Sequence, residues 1–90
     1  MCRNIRVLAH FEPPTTEDEV RAAALQYVRK VSGIQKPSKN DEVAFALAVD
    51  EVAAITTKLL AALPERATPP RTREGERVKA RLRWARRAPV

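Results

Sequence analysis

Residues 13–33, PPTTEDEVRAAALQYVRKVSG, decide the fold, because both ends and the buried face of a helix are written into them. Thr16 followed three residues later by Glu19 is a capping box, in which hydroxyl and carboxylate each satisfy a backbone N–H that a helix start leaves orphaned. Glu17 and Asp18 favour the positive end of the helix dipole, and Arg29 and Lys30 the negative end. Val20, Ala24, Tyr27, Val28 and Val31 recur at the helical period and make one apolar stripe. Gly33 suits the left-handed conformation that closes a helix, with Ile34 folding back onto the end.

Residues 36–64, KPSKNDEVAFALAVDEVAAITTKLLAALP, supply a second helix. Pro37 disfavours helix at Lys36, Ser38 or Asn40 is placed to cap, Asp41 and Glu42 fill the first turn, and Pro64 marks the stop. Phe45, Val49, Val52, Thr56, Leu59 and Leu63 alternate four and three apart, a seam like that of a coiled coil with one polar position at Thr56. Leu47, Ile55 and Leu60 widen that seam. The short stretch from Gly33 to Pro37 then implies an antiparallel hairpin.

Before the first helix, Ile5, Val7, Ala9 and Phe11 alternate as a strand would, while Ile5, Leu8 and Phe11 suit one helical turn. With no second strand in the chain, an isolated strand is not viable. Arg3 to Phe11 is therefore expected as an arm that lays Ile5, Leu8 and Phe11 across the hairpin, with Pro13 and Pro14 turning into the first helix. After the hairpin, Pro64, Pro69 and Pro70 make a stiff connector. Val78, Leu82 and Ala85 then share one helical face, Trp84 sits on a neighbouring position, and a third helix is expected from about Arg73 to Arg87. Gly75 weakens its first turn by up to about 1 kcal/mol relative to Ala.

The expected architecture is all-α, with residues 1–64 forming the arm and hairpin and residues 65–90 the Pro-rich connector and basic helix or tail. Ninety residues hold at most one small domain. Hydrophobic residues make up 44% of the chain but aromatics only 4%, so the core is thin and a second copy or partner would help it. Residues 1–64 carry equal numbers of basic and acidic side chains, so the net charge of +6 resides in the last quarter. One cysteine makes no internal disulfide, no zinc-cluster spacing is present, and a reducing cytoplasmic setting follows. The apolar stretch from Ile5 to Phe11 lacks a preceding basic region with a cleavage site, and no later run approaches the roughly 20 apolar residues of a membrane span, so no membrane is expected; no cofactor is expected either.

MCRNI at the start, FEPP before a capped acidic turn, RAAALQYVRKVSG, KPSK with Asn40, AF with AVDEVA, LL, and the Pro-rich, Arg-rich end together resemble a family of small bacterial proteins classed as a domain of unknown function. The resemblance covers nearly the whole chain and implies no assigned activity. Gly75 departs from it, because the family's version of this helix tends to carry an aliphatic residue there. That leaves the length of the third helix open.

Three sites compete. Arg71, Arg73, Arg77, Lys79, Arg81, Arg83, Arg86 and Arg87 make a cationic segment suited to phosphate, and Trp84 could stack on an unpaired base, so nucleic acid is one candidate partner. A solvated or partner-docking tail accounts for the same residues. Lys36, Ser38 and Lys39 lie at a helix start, where an anion is favoured, although a capped turn explains them equally. Cys2, exposed if Met1 is removed, would join an amine to a thiol, with Arg3 to lower the thiol's pKa and His10 as the other strong ligand type nearby. It lacks an orienting group, and two ligand types do not make a metal site. The carboxylates fall at helix starts or on polar faces, where they suit capping rather than acid and base chemistry. The sequence therefore favours interaction over catalysis, with the second-helix seam pairing with another copy or another protein.

Overall fold

The computed structural model describes residues 5–87 and contains three helices, α1 (Glu17–Ser32), α2 (Glu42–Ala62) and α3 (Arg73–Arg87). The all-α class and the helical hairpin are as the periodicity implies. Both ends of α1 form as written: Thr16 Oγ1 accepts from the Glu19 N–H, and the Glu19 carboxylate accepts from the Thr16 N–H. Gly33 sits at φ +72°, where an L side chain would be strained, and its N–H closes the helix on the Arg29 carbonyl.

The start of α2 differs from expectation. Asp41 is the cap position, in helical backbone and with no side-chain cap bond. The Ser38 carbonyl instead receives the N–H groups of Asp41 and Glu42, and the Ser38 hydroxyl donates to Asp41 Oδ2. Neither Ser38 nor Asn40 caps, because a turn of backbone already satisfies these orphan donors.

Helices α1 and α2 pack on each other around Val20, Ala24, Val28, Val49 and Ala53, with Leu8, Leu25, Phe45, Ala48, Val52 and Leu60 partly buried against them. Thr56 is tolerated on this face because its hydroxyl donates to the Val52 carbonyl one turn back. Among the described residues α1 is the only helix that faces α2, so the wider apolar surface of α2 is not all consumed. Leu59 and Leu63, expected in the seam, are exposed instead, as are Leu47 and Ile55.

The arm also departs from the expected layout. Leu8 packs on the core and Phe11 is half-buried, but Ile5 is 42% exposed and is not the anchor of the arm. Helix α3 spans the expected residues despite Gly75. Thr72 Oγ1 accepts from the Gly75 N–H at 2.9 Å, an N-cap bond to the third residue of the helix. A Cβ at position 75 would stand 2.9 Å from that same oxygen, so glycine leaves room for the cap.

Among the described residues the backbone of α3 lies close to neither α1 nor α2, although the Arg73 side chain at its start reaches Glu19 of α1. The molecule is flat, with extents of 43 × 41 × 16 Å, about the thickness of a single layer of helices. Its radius of gyration of 15.7 Å exceeds the roughly 12 Å of a compact chain of this length.

Candidate functional site

Two parts of the chain far apart in sequence meet where the arm crosses the strap that leads into α3. The Arg71 N–H donates to the His10 carbonyl at 2.7 Å and the Glu12 N–H donates to the Arg71 carbonyl at 2.9 Å, an isolated parallel bridge between Phe11 and Arg71. Arg71 Nη1 reaches the Ala9 carbonyl at 2.8 Å. His10 Nε2 donates to the Thr68 carbonyl at 2.7 Å, and the residue holds φ +62°, an uncommon conformation for a side-chain-bearing residue that these bonds maintain.

Arg73 completes the clasp. Its Nε and Nη2 donate to Glu19 Oε2 and Oε1 at 3.0 and 2.6 Å, a two-pronged pair. Nη1 and Nη2 also donate to the Pro13 and Pro14 carbonyls at 2.9 and 3.1 Å, and the guanidinium carbon lies 5.5 Å from the centroid of the Phe11 ring. Glu19 thus serves the α1 cap and the clasp with one carboxylate. Hydrogen bonding from Arg73, aided by the Thr16 N–H, lowers its pKa from 4.5 to about 2.

Of the residues proposed for phosphate contact, Arg71 and Arg73 are therefore turned inward onto the arm. Arg77 and Arg81 lie 3.5 and 3.7 Å from Glu74 through exposed side chains, and exposed Lys79 lies 3.5 Å from half-buried Glu76; such surface pairing is weak. Arg83, Trp84 and Arg86 are exposed as well. Lys36 and Lys39 are exposed, and the Ser38 hydroxyl donates to Asp41 Oδ2 at 2.9 Å. Cys2 with Arg3, and the Arg87 side chain, lie outside the described residues. The one ligand type named beside Cys2, His10, has its Nε2 engaged by the strap. Among the described residues no three His, Cys, Asp or Glu are gathered to hold a metal, and no helix is long and apolar enough to cross a membrane.

What the sequence reading missed was the clasp and the surface it leaves open. Val43, Leu47, Ile55 and Leu59 are all exposed and fall on one row of four-residue spacing along α2, interrupted only by Glu51, and exposed Leu63 follows at the C-cap. Such a row is a ridge of the kind that interlocks with a neighbouring helix. Val78 and Leu82 of α3 are 40% and 54% exposed, and Ala85 continues their stripe. The four-residue spacing was visible in the sequence, but it was absorbed into a single wide seam.

Hairpin, clasp and splayed helix together define a small all-α protein with a one-layer fold and two uncovered apolar faces. The chain belongs to the DUF2277 family, described as an uncharacterized conserved protein, whose model matches residues 1–79 and so takes in the arm, the hairpin, the clasp and the first half of α3. No curated protein and no solved structure matches it.

Proposed function

We propose that this protein is a non-catalytic module that associates with a second copy of itself. The ridge from Val43 to Leu63 carries this reading, because exposed apolar side chains repeated along one row, broken only at Glu51, mark an interaction surface rather than scattered surface residues. Surface area supports it. The chain exposes 7627 Å², against about 5,300 Å² for a compact monomer of 10.1 kDa. The excess, about 2,300 Å² per chain, is more than the roughly 800 Å² that each partner gives to a standard interface. Sedimentation equilibrium of the full chain tests the reading: a dimer is expected, and a strict monomer at all accessible concentrations would overturn it.

A second reading, nucleic-acid binding through α3, is favoured by the exposure of Lys79, Arg81, Arg83 and Arg86 beside Trp84. It expects affinity for single-stranded RNA that falls steeply with salt and drops when Arg81, Arg83 and Arg86 are changed to Ala. Equal binding by that variant would remove it.

A further inference from the structure

Two apolar faces of this chain lie uncovered, and the clasp keeps them apart. Helix α3 leaves the strap at Thr72, directly beside Arg71 and Arg73, whose bonds to Ala9, His10, Pro13, Pro14 and Glu19 fix the base of the helix at the start of α1. With its base so held, the backbone of α3 does not approach the ridge of its own α2.

We infer that α3 of one copy covers the α2 ridge of a second copy, reciprocally, so that each chain gives one helix and receives one. The inference rests on the self-association proposed above and specifies its geometry. Reciprocal exchange closes the assembly at two chains, since the same two patches meet twice about a two-fold axis. The chemistry of the faces agrees. Val78, Leu82 and Ala85 repeat at spacings of four and three, the pattern of a stripe that packs along a ridge.

Charge complements this packing. Helix α2 carries Glu42, Asp50 and Glu51 against Lys58, a net charge of −2, whereas α3 carries seven Arg or Lys against Glu74 and Glu76, a net charge of +5. Glu51, the one break in the ridge, is exposed and offers a carboxylate to the arginines that flank the α3 stripe, whereas Asp50 beside it is already held by Arg21 at 2.6 Å. Opposite charge favours α3 on α2. Two α3 helices brought together would meet like charge, and two α2 ridges would leave both α3 stripes bare.

The test uses two full-length variants, Ile55→Glu on the ridge and Leu82→Glu on the stripe, both at exposed positions where folding is preserved and checked by circular dichroism. Sedimentation equilibrium is expected to show each variant alone as monomer, with dissociation constants raised at least tenfold over the unmodified chain. An equimolar mixture is expected to form a heterodimer, because the ridge of one variant and the stripe of the other remain intact as a pair. A dimer of Leu82→Glu alone would overturn this geometry and leave self-association standing through α2 against α2. A dimer of Ile55→Glu alone would overturn it in favour of α3 against α3. A monomeric unmodified chain would overturn the inference and the reading beneath it.

Discussion

Glu19 links the beginning of α1 to the beginning of α3 through a single carboxylate, and its protonation couples the two. Its folded pKa, about 2, lies below the ordinary value of 4.5, so the stability it contributes is fully present above about pH 5 and is lost as pH falls towards 2. Chemical denaturation of the unmodified chain at pH 7 and pH 3 is expected to show a loss that Glu19→Gln largely removes. An equal pH dependence in the two proteins would show that other carboxylates dominate. At Gly75 a simple propensity argument expects alanine to gain about 1 kcal/mol. The Thr72 hydroxyl 2.9 Å from the added Cβ offsets that gain, so Gly75→Ala is expected to leave stability within about 0.5 kcal/mol of the unmodified chain in urea titration. Thr16, Glu19 and Gly33 were legible in the sequence because their partners lie within a turn or two. Arg73 was not, since its carboxylate partner is 54 residues away and nothing local distinguishes it from the other arginines of its segment.

At the scale of elements, the α1–α2 contact is made close by small residues. Ala24 is 2% exposed and Ala53 6%, with valines on either side. Adding three carbons at this contact forces the helices apart, and Ala24→Leu is expected to destabilise the hairpin by about 1–3 kcal/mol in thermal or urea unfolding. The existence, order and extents of all three helices could be read from caps, prolines and periodicity. Which part of the α2 surface would be buried could not. A single helix covers only part of a cylinder, and the alanines that bring it close select Val49 and Ala53 over the larger Leu59 and Leu63. The arm misled for a similar reason: Ile5 has the right chemistry for an anchor, but the backbone bonds made from Ala9 to Glu12 determine where the arm lies, and they favour Leu8.

For the whole molecule, the location of the positive charge in the last quarter was evident from the sequence, and so was the thinness of the core. That α3 does not fold back on the hairpin was hidden, because the restraint comes from bonds between arm and strap. Those bonds also bear on the order of events as the chain folds. The hairpin joins helices adjacent in sequence, whereas the clasp joins residues 54 to 62 positions apart and must close a correspondingly large loop. The hairpin is therefore expected to assemble first and the clasp to lock after the rate-limiting step. Arg73→Ala should then accelerate unfolding in stopped-flow measurements while leaving the refolding rate nearly unchanged, and a variant that mainly slowed refolding would place the clasp in the nucleus instead. The two arginines at the foot of α3 thus act as a late kinetic latch, governing how long the assembled chain persists more than how quickly it is reached.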